Sequence, residues 1–130
     1  MSVEHIARGR VYAFDVDALE ETVAHNGIGS VLAKRVLERE SESLRFVDLV
    51  EVPPGSTIGR HRHGADQELY IAISGHSVIE LDGRETLMGP GDVAINRSGG
   101  VHALTVIGDE PFRMVVVCTG PDADWLDQGL

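Results

Sequence analysis

The chain has 130 residues, of which 42% are hydrophobic and 25% charged, and its formal net charge is −10 at pH 7. A chain of this length predicts one domain, residues 1–130, and the excess of acidic side chains argues against a nucleic-acid partner, which needs a basic face. No apolar run approaches the roughly 20 residues that cross a bilayer, and the single Cys118 and the lack of a secretory signal predict a cytoplasmic protein without disulfides.

The N-terminal arm, residues 1–29, is predicted to contain a short strand and a short helix. Arg10–Phe14 has the composition of an edge strand. Asp17 begins a capping-box-like pattern, which predicts a helix over about Ala18–Ala24. We interpret His25, at the end of that helix, as a cation near the carbonyl pole rather than as a ligand.

Two longer strands are predicted after this arm. Ser30–Glu38 fits a helix or a strand by composition, and its β-branched residues favour the strand. Leu44–Val52 is an apolar strand ended by Pro53–Gly55. Asp48 interrupts that strand, and we interpret it as a surface or subunit-contact carboxylate in preference to a pocket acid.

The rest of the chain contains short strands separated by glycine and proline. These strands begin at Thr57, and Asp82–Gly83 is a two-residue hairpin signal. The later strands are predicted at Glu68–Ser74, Ser77–Leu81, Arg84–Met88, Asp92–Asn96, Val101–Ile107 and Phe112–Thr119. This spacing indicates an antiparallel sandwich or barrel over about residues 30–119, followed by an acidic tail, 120–130, that contains Trp125.

Two histidines of this region lie two positions apart. Because positions i and i+2 of an extended strand face the same way, His61 and His63 present two imidazoles side by side. Glu68 opens the next apolar strand, and His102 lies in a later one. Imidazole and carboxylate groups bind divalent transition metals, so these four side chains are candidate metal ligands.

The spacing of these residues resembles that of the cupin superfamily. Residues 55–75 match the first cupin motif, G(X)5HXH(X)4E(X)6G, at every fixed position. The second motif, G(X)5PXG(X)2H(X)3N, is matched at its two glycines and at His102. It departs at two positions, where Arg97 replaces the proline and Val106 replaces the asparagine.

The resemblance to small single-domain cupins implies an all-β fold, the antiparallel double-stranded β-helix or jelly-roll barrel, here with the short N-terminal helix added. It also implies that His61, His63, Glu68 and His102 are the metal ligands. Fe(II) is favoured and Mn, Ni, Co or Zn are alternatives, because imidazole suits these metals and carboxylate adds hardness for iron. Cupins commonly form dimers, so a homodimer is expected.

The same strand faces predict the wall of a substrate pocket. Tyr70 and Ala72 follow the metal-binding carboxylate at period two, and Leu104 and Val106 follow the last histidine in the same way. These side chains predict a mostly apolar cavity. Glu68 and Tyr70 are the candidate catalytic acid and base.

Other polar residues near the motifs have weaker predictions. Arg97, on the loop before the last histidine, either binds an anionic substrate at the pocket mouth or lies in solvent. Arg60 and Arg62 alternate with the histidines, so we expect them to point away from the cavity. His76 is expected to be exposed.

Three functions remain open from the sequence. The first is a metal-dependent enzyme acting on an oxygen-bearing small molecule, in its favoured form an iron(II) dioxygenase-like oxidoreductase. The second is a redox-neutral isomerase, cyclase or lyase at the same site. The third is a non-catalytic cupin that binds a metabolite.

Overall fold

The computed structural model describes residues 9–39 and 43–120, which form two antiparallel β-sheets. The strands are β1 Glu20–Thr22, β2 Val31–Glu38, β3 Leu44–Val52, β4 Thr57–Arg62, β5 Gln67–Ser74, β6 His76–Leu81, β7 Arg84–Met88, β8 Val93–Asn96, β9 Val101–Ile107 and β10 Phe112–Thr119. The all-β prediction is confirmed. Within the described ranges, no helix has the length and apolarity needed to cross a membrane. The predictions for Trp125 and the acidic tail concern residues outside these ranges.

The two sheets face each other across one core. The larger sheet has the order β1-β2-β3-β10-β5-β8, and the smaller has the order β4-β9-β6-β7. No ladder joins the sheets in the described ranges, so the strands form the sandwich of the two predicted alternatives, and the jelly-roll barrel that the resemblance implied is not closed. Both sheets contribute to the core, which includes Val50, Val52, Phe112 and Met114 from the larger sheet and Ile79 and Leu104 from the smaller one.

The N-terminal arm differs from its prediction. In place of a helix over Ala18–Ala24, the chain forms a three-residue 3-10 turn, Val16–Ala18, capped by the Asp15 side chain. It then enters β1, which pairs with β2, and the hydrogen bonds of that ladder replace those of the expected helix. Arg10–Phe14 has no regular structure, because no strand of the described ranges pairs with it.

The strands after the arm begin within one residue of their predicted starts, and those with a predicted end also end within one residue of it. The hairpin between β6 and β7 shows why. Asp82 and Gly83 have φ angles of 50° and 84°, which is the left-handed conformation that a two-residue hairpin turn requires. Local turn chemistry therefore sets the register of this pair of strands.

A bulge in β4 directs the histidines toward the core. Ile58 is opposite Leu104, but His61 is opposite His102, so β4 has one more residue than β9 between these pairs. The extra residue reverses the alternation of β4 at Gly59. As a result, both Ile58 and His61 face inward, although they are three positions apart.

The same alternation of β4 places Arg60 and Arg62 on its outer face. Arg60 and Arg62 are exposed, as predicted. Arg60 forms an ion pair with Glu80, and Arg62 donates a hydrogen bond to the backbone oxygen of Gly99. Both cations are therefore engaged on the outer surface.

Candidate metal centre

Three histidine side chains converge between the sheets. His61 lies in β4, His63 follows that strand directly, and His102 lies in β9. The Nε2 atom of His61 is 3.1 Å from His63 Nε2 and 2.9 Å from His102 Nε2. One ring nitrogen of each histidine lies within 4.8 Å of those of the other two, so the three could hold a metal ion.

Hydrogen bonds on the far side of the rings orient two of these histidines. His61 Nδ1 donates to the Gly59 backbone oxygen at 2.8 Å, which leaves Nε2 with a free lone pair. His63 Nδ1 is 3.2 Å from Asp66 Oδ2, a histidine–carboxylate pair of the kind that orients metal ligands. The Nδ1 atom of His102 is buried and has no hydrogen-bond partner in the described ranges.

The spacing of the nitrogens fits a single cation. Metal–imidazole bonds are about 2.0–2.1 Å long. Two imidazole nitrogens bound at right angles to one ion are therefore about 3.0 Å apart. The observed separations of 3.1 and 2.9 Å agree with this value. Lone pairs this close repel one another unless a proton or a cation lies between them. Three imidazole nitrogens are also a donor set that first-row divalent metals prefer.

A buried carboxylate and a buried hydroxyl lie beside the imidazoles. Tyr70 Oη donates to Glu68 Oε1 at 2.7 Å and lies 3.2 Å from His102 Nε2. Glu68 Oε1 is also 3.2 Å from His63 Nε2. Glu68 forms a second cluster with His63 and Asp66, so its role as a fourth ligand of the three-histidine group stays a prediction.

The environment shifts the pKa values of these groups in different directions. Burial acts to lower the pKa of His63, but hydrogen bonds to Asp66 and Glu68 and their negative charges raise it to about 9. Burial lowers the pKa of His102 to about 3, and the neighbouring histidines add to the effect. Burial and the charge of Glu68 raise the pKa of Tyr70. At pH 7, therefore, His102 is neutral and Tyr70 keeps its proton.

The histidines open into a cavity of about 190 Å³. Its wall is largely apolar, as predicted, and includes Val31, Val50, Ile58, Met114 and Val116. Tyr70, a predicted wall residue, lines it. The cavity is therefore small, apolar on most sides and polar where the imidazoles lie.

Four other predicted wall residues lie elsewhere. Ala72, Leu104 and Val106 are buried in the core and do not contribute to the lining of this cavity. Arg97 is exposed on the loop between β8 and β9 and does not line it either. Of the five side chains predicted for the wall, the structure brings Tyr70 alone to this cavity.

Two residues that we did not assign to the cavity line it. The His25 ring stacks on the His61 ring, with centroids 3.4 Å apart and planes inclined by 12°. Asp48 lies in the wall on β3. The interpretation of Asp48 as a surface carboxylate is wrong, and His25 is not a helix-end cation, because no helix forms over Ala18–Ala24. Asp48 could have been found from strand alternation, since it shares a face with the buried Val50 and Val52. No local pattern indicates the position of His25.

The charges of the wall are negative or already paired. Asp48 accepts two hydrogen bonds from Arg35, at 2.8 and 3.0 Å. Glu68 is the other carboxylate of the lining. No lysine or arginine of the described ranges lines the cavity. An anionic ligand would therefore depend on a bound cation for its charge partner.

Two antiparallel sheets that enclose a cluster of imidazoles define a class of β-sandwich proteins with a candidate metal centre between their sheets. The family model described as "Cupin domain" matches residues 48–118, more than half of the chain. The chain belongs to the cupin domain family, which confirms the resemblance found in its histidine motifs.

A named relative and several solved structures are similar to most of the chain. An oxalate-binding protein of Thermotoga maritima is 28% identical over 93 residues, which cover 70% of this chain and 77% of that protein. The crystal structure of a predicted oxalate decarboxylase from Thermotoga maritima has 24% identity and a TM-score of 0.77, covering 84% and 99% of the two chains. A cupin 2 conserved barrel domain protein from Salinispora arenicola has 24% identity and a TM-score of 0.69, covering 94% and 96%. At such identities, these two structures show the fold alone.

Proposed function

We propose that the chain binds a small oxygen-bearing organic acid at a divalent transition metal held by His61, His63 and His102, with Glu68 as the fourth ligand. The observation that carries the proposal is the convergence of three Nε2 atoms, two pairs of which are 2.9 and 3.1 Å apart, at the wall of a cavity. The donor set supports Fe(II) as the metal, with Mn, Ni, Co or Zn as alternatives.

The size of the cavity and the charges of its wall support a short, oxygen-rich ligand. A volume of about 190 Å³ lies below the roughly 300–1,000 Å³ of ordinary ligand pockets. With no lysine or arginine of the described ranges in the lining, the oxygens of the ligand would bind the metal itself. The Thermotoga maritima relative named an oxalate-binding protein supports a short dicarboxylate such as oxalate.

The chain supplies an acid–base pair next to the proposed metal. When bound, a divalent metal acts as a Lewis acid and orients oxygen ligands. Tyr70 keeps its proton because burial raises its pKa, and its hydroxyl donates to Glu68 Oε1 at 2.7 Å. This pair can hold a proton beside a bound ligand and return it, which supports Glu68 and Tyr70 as the catalytic residues.

Two reaction classes use this site in different ways. The combined imidazole and carboxylate donors support an iron(II) dioxygenase-like oxidation of the organic acid by molecular oxygen. The Tyr70–Glu68 pair supports the alternative, a redox-neutral isomerase, cyclase or lyase reaction that needs proton transfer only. A cupin that binds its metabolite without turnover is the third form of the proposal, supported by the name of the binding-protein relative.

The proposed function is tested first by ligand binding and then by substrate turnover. We expect oxalate to bind the Co2+-loaded protein and not the metal-free protein, measured by calorimetry. His61→Ala should abolish metal-dependent binding, whereas His76→Ala, at an exposed histidine of β6, should leave it intact. Equal binding without metal would contradict the proposal.

Turnover then separates the reaction classes. Oxygen uptake by the Fe(II)-loaded protein with short organic acids, diols or diketones supports the oxidative form. Anaerobic conversion with Zn2+ supports the redox-neutral form. Tight binding with neither reaction supports the binding protein.

We also propose a homodimer. Apolar side chains on adjacent strands at one edge of the larger sheet support it, since Ile73 of β5 is 44% exposed and Val93 of β8 is 61% exposed. Light scattering at low micromolar concentration should give twice the monomer mass. A monomer mass would exclude this assembly.

A further inference from the structure

The cavity contains a polar side chain that the proposed chemistry leaves unused. Among its polar lining residues, Asp48 is held by Arg35 and Glu68 accepts from Tyr70. His25 lines the same cavity, is exposed, and makes no hydrogen bond within the described ranges. An imidazole that faces a cavity with both nitrogens unpaired is available to a ligand.

We infer that His25 contacts the bound ligand, and that its imidazole donates a hydrogen bond to the oxyanion at the metal centre. This inference rests on the proposed function. His25 is stacked on His61, with ring centroids 3.4 Å apart. His61 is proposed to bind the metal through Nε2. Because the His25 ring is stacked on the His61 ring, it lies next to that nitrogen and next to the metal's proposed ligand.

The segment that carries His25 is fastened to β4 by hydrogen bonds. The backbone N–H of Gly59 donates to Ala24 O at 3.1 Å, and that of Thr57 donates to Ile28 O at 2.8 Å. Ile28 N also donates to Thr57 Oγ1 at 2.7 Å. The imidazole is therefore held over His61 by bonds on both sides of it in the chain.

Two glycines allow this close approach. A Cβ at Gly59 would lie 1.9 Å from His25 O, and a Cβ at Gly27 would lie 2.2 Å from Thr57 O. The φ angles of His25 and Asn26 are 54° and 59°, in the left-handed region that side chains other than glycine rarely adopt. Residues with such a strained backbone persist where the surrounding structure holds them in place, and they are concentrated at ligand sites.

His25→Gly tests the contact without adding strain, because glycine adopts a positive φ freely. We expect the Co2+ affinity to stay within about twofold of the wild type, since His25 is not one of the proposed ligands. The dissociation constant of oxalate for the Co2+-loaded protein should rise about tenfold or more, the usual effect of losing a hydrogen bond to a charged group. Calorimetry measures both constants.

Two further variants test donation and position separately. His25→Asn keeps an N–H donor and tolerates a positive φ, so it should recover part of the lost affinity. An affinity no better than that of the glycine variant would overturn the role as a donor. Gly27→Ala should displace the segment while keeping the imidazole, and should therefore weaken oxalate binding as His25→Gly does. Unchanged binding in Gly27→Ala would overturn the positioning of His25 by this segment.

His76→Ala is the matched control, because His76 is an exposed histidine of β6 that does not line the cavity. We expect its oxalate affinity to stay within about twofold of the wild type, since its imidazole lies outside the cavity. An equal loss in His76→Ala and His25→Gly would overturn a specific contact. Wild-type binding retained in His25→Gly would overturn this inference alone, whereas absence of oxalate binding in the wild type would overturn the proposed function as well.

Discussion

The metal affinity of the site is expected to rise steeply with pH, because His63 must lose a proton before it binds a metal. Although burial lowers it, the pKa of His63 is raised from 6.5 to about 9 by Asp66 and Glu68. Each pH unit below this value reduces the apparent affinity about tenfold. At pH 7 the affinity should thus be about 100-fold below its limit at high pH. An unshifted histidine would reduce it less than about twofold.

The other two histidines do not add to this dependence above pH 7. Burial lowers the pKa of His61 and, to about 3, that of His102, so both are neutral there. Calorimetric titration with Co2+ from about pH 6.5 to 8.5, in buffers of different ionisation enthalpy, measures the affinity and the protons released. We expect about one proton released per ion at pH 7, and a rise in affinity of about tenfold per pH unit.

Asp66→Asn tests the cause of the shift. Asparagine can still accept a hydrogen bond from His63 Nδ1, but it lacks the charge that favours the imidazolium. The pH dependence should flatten, while the affinity above about pH 8 should fall about 10–100-fold. Asp109→Asn removes the same charge from an exposed loop and should change neither quantity. Release of no proton by the wild type, or an affinity independent of pH, would refute the reasoning.

Three other variants or probes test separate parts of the structure. Tyr70→Phe removes the donor to Glu68 but keeps the buried ring, so turnover of any substrate should fall at least about tenfold with metal content unchanged. Loss of bound metal would show that Tyr70 supports the ligands instead. Burial raises the pKa of the Cys118 thiol, so thiol reagents should modify it only after unfolding, and rapid modification of the native protein would contradict its burial. Phe112→Ala, at a side chain with 0% exposure, should reduce the free energy of unfolding by about 3–5 kcal/mol in urea titrations. Leu87→Ala, at a side chain 63% exposed, should stay within about 0.5 kcal/mol, and equal effects would contradict the assigned core.

The histidine motif was predictable because it depends on spacing within the chain. His61 and His63 are two positions apart, and the prediction that they face one way needs only extended backbone. Their direction relative to the core was set by the bulge at Gly59, where Ile58 and His61 both turn inward. A bulge depends on pairing with a distant strand, so alternation from the sequence alone would have placed one of these two residues outside.

The predictions that were wrong depended on distances along a strand and on pairing between strands. Leu104 and Val106 share the inward face of His102. Two residues of strand span about 6.6–6.8 Å, however, so residues on one face reach different depths of the core. The expected helix at Ala18–Ala24 was locally reasonable, but pairing of β1 with β2 replaced it. His25 came to the cavity through that pairing and through the contacts of its segment with β4, which no local pattern contains.

Protons and the proposed metal ion would compete for the same imidazoles, and the carboxylates beside them would attract both. Asp66 and Glu68 raise the pKa of His63 from 6.5 to about 9. Protonation of His63 therefore stabilises the metal-free fold fully below pH 6.5, and this stabilisation is lost as pH rises through 9. The same carboxylates increase the attraction of the emptied position for a divalent cation. Removing either carboxylate should therefore weaken the binding of both the proton and the metal ion. We expect the protonated cluster to keep its hydrogen-bonded geometry in acid and the proposed metal to replace the proton in base, so that near neutral pH the concentration of free metal decides which state is present.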